Sequence, residues 1–540
     1  MFGVSQKEWV MKNKIIDLIK QVTGSDFEEL SRSKQPGVDF QYNGVFQIAH
    51  ATGKNSQDVA IEISDALNRM NSFIQATPSK KGFIDIVVTN DFLEKLDCQL
   101  YSNFKGRYMV DFGGPNIAKP LHVGHLRSLV LGDSITKILR ANGADVVTDI
   151  HFGDWGLQMG KIISEVQISG KLPTTAKDLE TLYPRADQAY NNSEERREVC
   201  GLVTKRLQDG LEPEISIWKT LRDLSVTDQL DVIRELNITF DYYLGESDSM
   251  PYYDRVKSRL DAKEMIIESD GALIIDVNDE GLTELPPVIF KKRDGASLYA
   301  TTELMTIESR SDTVDHIIYV TDARQQMHFE QIFRVARKCG MNVDSLDLVA
   351  FGTVNSSESK KAFKTRSGLT YYLRDLINAA AAEYEKFQSD PELAREIAVN
   401  AIKFWDLSQL AKTGYSFSPS RMMANTGYTG PYVLYSAVRA KHILDKVDNI
   451  DDYTFKISTD EERQLAFLIS DTPFIVNKAA EDLEPSVIVK HIYALAKAWG
   501  KFYSGDNILE SPELIKQSRL KLVQVYYSTI KMLLELVGMT

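Results

Sequence analysis

The 540-residue chain predicts an α/β fold class: a parallel-sheet middle domain, an N-terminal α/β domain before it, and a C-terminal all-α helical bundle after it. Three observations predict this. A short apolar strand at Tyr108, Met109, Val110 and Phe112 runs into a helix whose apolar positions Leu126, Leu129, Val130, Ile135, Ile138 and Leu139 recur at helical spacing until Asn142-Gly143 stops it. Strands such as 144–152 and 316–321 alternate with helices up to about residue 376, the pattern of a doubly wound sheet. From about residue 391 the strand signals vanish and only helical periodicity remains.

In chain order, residues 1–104 form the first domain, with a helix near 8–22 and a strand at 83–88. The middle domain, 105–385, opens on the strand at Tyr108 and carries a long polar insertion of helical sequence at about 170–239. The last domain spans 386–540. There Ile488, Ile492, Leu495, Trp499 and Phe502 follow a Pro485-Ser486 helix start at alternating spacings of four and three, and Val523, Tyr526, Ile530, Leu533 and Val537 repeat the pattern.

A hydrophobic content of 43% fills more than one core, and no apolar run approaches the length of a membrane span. The opening MFGVSQKEWVMKNK lacks the apolar centre of a secretory signal. Cys98, Cys200 and Cys339 lie far apart, which suits a reducing, cytoplasmic setting and supplies no zinc-ligand spacing. The net charge is −13, so any nucleic acid has to be met by local positive surface. Arg127, Arg140, Lys360, Lys361, Lys364, Arg366, Arg439 and Lys441 are candidates for it. Composition permits such binding without indicating it.

The richest segment is PNIAKPLHVGHLRS, residues 115–128, on the turn between the first sheet strand and its helix. A helix N-terminus there favours phosphate, and Gly124 lets a base or ribose approach the backbone. His122 and His125, three apart, project from one face and can donate hydrogen bonds to phosphate oxygens. A histidine pair alone is also compatible with a surface pair, half of a metal site or satisfied core side chains. The strand, the two prolines, the glycine and Lys119 all agree with a phosphate site and raise that reading above the others.

HVGH is similar to the signature of class I aminoacyl-tRNA synthetases, and the longer PNIAKPLHVGHLRS resembles the arginyl family in particular. HFGDWGLQ at 151–158, YYLGES at 242–247, DG with SLYATT at 294–302, DARQQMH at 322–328 and KTRSG at 364–368 resemble segments of that family in the same order. Nearly the whole chain is covered. The resemblance implies a Rossmann-type catalytic domain, an N-terminal domain that contacts the tRNA elbow through Tyr42 and Asn43, and a bundle that binds the anticodon through Tyr432, Tyr435 and Arg439. It implies ATP with Mg2+ as its counter-ion, L-arginine and tRNA(Arg) as partners, and a monomer. His122, His125 and Lys119 are the implied catalytic residues, with Gly124, Lys364 and Arg366 also at ATP. Asn116 and Gln325 would hold the amino-acid end of arginine; Glu246, Tyr299 and Glu303 would surround its guanidinium, a planar cation that cannot lose its charge.

The chain departs from the family pattern in three places. Glu303 stands where aspartate is usual, which moves the carboxylate out by one methylene; it is expected still to pair with the guanidinium, and to share a helical face with Tyr299. The loop that usually reads KMSKS is KKAFKTRSG at 360–368, so Lys119 is expected to take over part of the phosphate stabilisation. Tyr428 and Leu434 replace the more usual Asn and Gln. Two other functions compete with arginine–tRNA ligation: a synthetase-like protein that binds tRNA or arginine without charging, and a class I enzyme for another amino acid. The intact HVGH, Glu246, Tyr299 and Gln325 set argues against the first; the two substrate-facing acids and the absence of zinc-ligand cysteines argue against the second.

Overall fold

The middle domain is arranged around the carboxyl end of one strand, which explains the order of everything else. The computed structural model describes residues 11–26, 29–100, 102–279, 281, 283–291, 299–356, 372–447, 449–505 and 507–540, with the backbone alone at 299 and 356.

The N-terminal unit packs α1 (Met11–Thr23), α2 (Val45–Thr52) and α3 (Ser56–Met70) on an antiparallel sheet. Its strands are β1 (Leu30–Arg32), β2 (Phe40–Tyr42), β3 (Ile74–Pro78) and β4 (Ile84–Val88), in the order β1-β2-β4-β3. Alternation in β4 buries Ile84, Ile86 and Val88 on one face. The Asn55 side chain caps α3 by accepting from Gln57 N–H at 2.7 Å. A single turn, α4 (Asn90–Leu93), leads onward.

The central sheet joins β5 (Arg107–Phe112), β6 (Asp145–Asp149), β10 (His316–Asp322) and β11 (Ser345–Phe351), all parallel, in the order β11-β10-β5-β6. Between β5 and β6 lies α5 (Val123–Ala141). The chain therefore leaves β5 toward one edge and returns as β10 on the other side, so the crevice between the carboxyl ends of β5 and β10 is a topological switch point, the favoured place for a ligand. The predicted strand 144–152 is shorter than expected: regular pairing stops at Asp149, and Phe152 and Gly153 instead bridge to Gly245 and Asn116.

The insertion is helical, with α6 (Leu157–Ser169), α7 (Ala176–Asn192), α8 (Glu194–Gln208) and α9 (Glu214–Glu235). After a 3-10 turn at Glu246–Tyr252 come α10 (Tyr253–Ala262) and a small antiparallel sheet of β7 (Ile266–Ser269), β8 (Ala272–Ile275) and β9 (Val288–Lys291) that the sequence pattern did not announce. Helix α11 (Tyr299–Arg310) precedes β10, and α12 (Gln326–Lys338) follows it. Beyond β11 lie β12 (Val354–Ser356) and α13 (Leu373–Tyr384).

The bundle comprises α14 (Pro391–Leu407), α15 (Pro419–Met422), α16 (Gly430–Leu444), α17 (Asp460–Glu481), α18 (Ser486–Gly505) and α19 (Glu513–Leu536). The periodic positions expected from sequence are its core: Ile488, Ile492, Leu495, Trp499, Phe502, Val523, Tyr526, Ile530, Leu533 and Val537 are all buried. Trp499 stacks on Tyr526 with ring centroids 4.5 Å apart. One expectation fails here. A strand, β13 (Tyr415–Phe417), lies beyond residue 391 and pairs in parallel with β12. Three residues are too few to leave a periodic signal, and the partner is remote in sequence.

Helix α5 is enclosed almost throughout, and its Arg127 is 0% exposed. The guanidinium donates to the carbonyls of Gly352 at 3.1 Å, Thr413 at 2.6 Å and Leu410 at 3.3 Å, and lies 3.3 Å from Asp406, which also accepts from the Tyr415 hydroxyl at 2.7 Å. A buried charge with its partner removed is costly, about 3–5 kcal/mol. Asp406→Ala is therefore expected to lower the free energy of urea unfolding by about that amount; a loss below about 1 kcal/mol would show that the three carbonyls alone hold Arg127.

Candidate active site

His122 is the N-cap of α5, with extended backbone at φ −114° and ψ 168°. Its Nδ1 accepts from Gly124 N–H at 3.0 Å, and Nδ1 of His125 accepts from His122 N–H at 3.0 Å. The two rings complete a reciprocal cap of the kind usually built from a hydroxyl and a carboxylate. Because Nδ1 is an acceptor in both, the proton of each neutral imidazole resides on Nε2, leaving two N–H donors at the helix N-terminus. The rings lie 4.0 Å apart. Burial and the neighbouring Lys119 and Arg324 charges push the His122 pKa down; burial and His122 push His125 down to about 3. Both are neutral donors at physiological pH. A Cβ on Gly124 would lie 2.7 Å from His122 Cε1, so the glycine is already required by the cap.

The loop before the cap is clamped. Ile117 N–H donates to Gly153 O and Gly153 N–H to Pro115 O, both at 3.1 Å, which seats the half-buried Asn116 against Gly153. A Cβ at Gly153 would meet Asn116 Oδ1 at 2.3 Å, so a larger residue there would displace the Asn116 side chain. Ala118 has φ 61°, a left-handed conformation that costs an L-residue about 1–2 kcal/mol. On the other side of the motif, Leu373 N–H donates to Leu121 O at 2.9 Å and His122 bridges to Tyr372. Lys364 and Arg366 lie outside the described residues.

The acids approach from two elements. Glu246 N–H donates to Phe152 O at 3.0 Å, and the turn after it is fixed by Asp154, which is fully buried. Asp154 accepts from Ser247 N–H at 2.9 Å, from the Ser247 hydroxyl at 2.8 Å and from Arg222 Nε at 2.8 Å. Glu303 sits one turn into α11, which begins at Tyr299; the four-residue spacing thus holds along a helical backbone, and the Tyr299 side chain lies outside the described residues. Burial and the facing Glu303 push Glu246 up to about 8; burial pushes Glu303 up to about 6. Gln325 closes the 3-10 turn after β10, exposed, its side chain accepting from the Thr321 hydroxyl.

Among the described residues one cluster has the composition of a metal site: Asp111, Asp149 and His151. It is already filled. Arg310 lies 2.6 Å from Asp111 and 2.7 Å from Asp149, and His151 lies between Asp149 and Thr306, at 3.3 Å from each. The guanidinium satisfies the carboxylates that a divalent cation would need, so the cluster does not suit Mg2+.

Two surfaces complete the set. Tyr42 is 0% exposed within the N-terminal core, which corrects its expected contact with RNA: β2 turns this side chain inward under Gly44, and the adjacent Asn43 is the one that reaches the surface. At the start of α16 Tyr435 is 53% exposed, and the Arg439 guanidinium lies 4.2 Å from its ring centroid and 5.0 Å from that of Tyr503. Tyr432 is half-buried against Tyr493, and Tyr428 packs between Phe404 and Tyr493.

Residues 87–419 match the family described as tRNA synthetases class I (R), catalytic domain; residues 433–540 match the DALR anticodon binding domain, and residues 10–88 the arginyl tRNA synthetase N terminal domain. The chain is 35% identical to the arginine–tRNA ligase of Francisella tularensis subsp. novicida over 93% of each. The chain belongs to the arginyl-tRNA synthetases. Its fold is that of the arginyl-tRNA synthetases of Plasmodium falciparum, with TM-score 0.84, 23% identity and 98% of each chain covered, and of Thermus thermophilus, with TM-score 0.82, 22% identity and 98% and 99% covered.

Within that family frame, sequence reasoning had missed Gly153, Asp154 and Arg324. All three stand in motifs that had been read only for their likeness; remote contacts expose Gly153 against Asn116 and Asp154 against Ser247, and Arg324, paired with Asp322, is exposed by its charge acting on His122. The raised acids have a measurable consequence for the protein alone. A folded-state pKa above the ordinary 4.5 means that the folded chain keeps a proton the unfolded chain has lost, so stability is full below about pH 4.5 and falls as pH rises toward 8. Glu246→Gln is expected to melt higher than the parent at pH 8.5, with the difference shrinking by pH 5; a constant difference across that range would show that Glu246 is ionised throughout.

Proposed function

We propose a division of labour for the two-step reaction of an arginine–tRNA ligase, the activity that family membership and near-full-length identity of 35% support. An oxygen of the arginine carboxylate attacks the α-phosphorus of ATP, the bond to the β-phosphate oxygen breaks, and arginyl-adenylate and pyrophosphate result. A hydroxyl of the terminal adenosine of tRNA(Arg), the 2′-hydroxyl by class, then attacks the activated carbonyl and AMP leaves.

The observation that supports this assignment is the pair Glu246 and Glu303, near enough for the charge of Glu303 to act on Glu246 and both pushed toward protonation by burial. A permanently charged planar guanidinium is the ligand such a pair lacks. Asn116 and Gln325, on the loops after β5 and β10, would hold the α-amino and carboxylate groups, with Tyr299 beside the side chain. His122 and His125 would present their Nε2–H donors to the phosphates as charge develops in the transition state, and Lys119 would add a positive charge there, with Lys364 and Arg366 from the downstream loop. Mg2+ would travel with ATP as its counter-ion. Asn43 on the N-terminal domain, with Tyr432, Tyr435 and Arg439 on the bundle, would face tRNA, Tyr435 offering a ring for stacking. No helix among the described residues is long and apolar enough to cross a membrane, and we assign the enzyme to the cytoplasm as a monomer.

Charging assays with labelled arginine, lysine and cysteine, each with and without tRNA, test the assignment. Incorporation of arginine alone is expected, with arginine-dependent pyrophosphate exchange that requires tRNA. Binding of arginine without charging would support a sensor instead. The acids add a second readout: a bound guanidinium ionises both carboxylates, so arginine binding at pH 7 is expected to release protons and to tighten from pH 6 to pH 8. Equal calorimetric heats in buffers of unlike ionisation enthalpy would refute that coupling.

A further inference from the structure

The loop that carries Asn116 and Lys119 does not hold its own shape. Pro115 and Pro120 bracket it, and Ala118 occupies the left-handed region at φ 61°. Besides the backbone clamp by Gly153, what holds it comes from the helical insertion. The Ser225 hydroxyl on α9 donates to Leu221 O at 2.6 Å and accepts from Ala118 N–H at 2.7 Å. One turn later, Gln229 Nε2 donates to Asn116 O at 2.9 Å and to Lys119 O at 2.7 Å. Both side chains are buried, Ser225 at 3% and Gln229 at 1% exposure, so these bonds do not compete with solvent. From α7 of the same insertion, the Tyr183 ring lies 4.2 Å below the Lys119 ammonium.

We propose that Ser225, Gln229 and Tyr183 are positioning residues for adenylate formation. Ser225 and Gln229 fix the peptide on either side of Ala118, and Tyr183 receives the ammonium, so that the insertion aims Lys119 at the phosphates. The insertion is then a working part of the ATP site, although none of its side chains needs to touch ATP.

The proposal rests on Lys119 acting at the phosphates, and a four-protein cycle separates the two claims. The kcat of arginine-dependent pyrophosphate exchange with tRNA present is measured for the parent, Lys119→Ala, Gln229→Ala and the double variant. Lys119→Ala is expected to lower kcat by about tenfold or more, with arginine KM changed by less than about threefold, and Gln229→Ala to lower kcat by about tenfold. In the Lys119→Ala background, adding Gln229→Ala is expected to cost less than about threefold, because the group it aims is gone. An unchanged kcat in Lys119→Ala would overturn the role of Lys119 and with it this proposal. A normal response to Lys119→Ala with the same Gln229→Ala loss in both backgrounds would overturn the aiming alone. Should Gln229→Ala fail to fold, the half-buried Tyr183 serves in its place. Tyr183→Phe, which keeps the ring, is expected to hold kcat within about twofold while Tyr183→Leu lowers it about fivefold. Equal kcat in those two variants would refute the proposal.

Discussion

Two backbone N–H groups at the start of α5 decide what the paired histidines can do. A helix leaves its first N–H groups without partners, and here those of Gly124 and His122 are satisfied by imidazole nitrogens. Satisfying the helix selects the tautomer, and the tautomer turns each ring into a donor directed away from the backbone. Burial then keeps both rings neutral, so the donors do not depend on a protonation event. The need for glycine between them follows from the same cap, because a side chain there would collide with the His122 ring.

The acids obey a complementary rule. Asp111 and Asp149 have their cation in direct contact as Arg310, whereas burial outweighs the nearby His151 and Arg310 charges at Glu303, and burial together with Glu303 outweighs His151 at Glu246, so both acids are pushed upward. One site is closed and structural; the other is left toward protonation, the perturbed state that marks it as the candidate for a cationic ligand. The extra methylene of Glu303 does not remove it from this pair, because its charge still acts on Glu246. Asp154 holds the Glu246 turn through bonds to Ser247 and Arg222, so the geometry of the acid pair depends on a residue that need not touch substrate.

What was legible in the sequence was what is local. The strand-to-helix turn, the periodic core of the bundle and the helical insertion each leave a signal within one window, and Pro115, Gly124 and Asn142-Gly143 mark their limits. What was not legible is the set of contacts between remote segments. Arg127 is balanced by Asp406, Ala118 is held by Ser225, and Leu121 pairs with Leu373, at separations that no periodicity reports. Tyr42 shows the opposite error: the family likeness alone implied a surface contact, while the alternation of a three-residue strand was too short to show that its side chain faces inward. Tyr428 and Leu434 are clearer in structure than in sequence, since both are partly buried hydrophobic residues packed against the core.

The N-terminal unit does not hang from the chain by a tether. Arg463 on α17 forks onto Asp39 at 3.1 and 2.7 Å and also donates to Val88 O at 2.8 Å; Arg32 reaches Asp471 at 2.7 Å across the Phe467 ring. These contacts bind the first and last thirds of the chain to each other. The separation of Asn43 from the Tyr435–Arg439 face is therefore set by side-chain contacts between α17 and the first domain as well as by the chain that joins them.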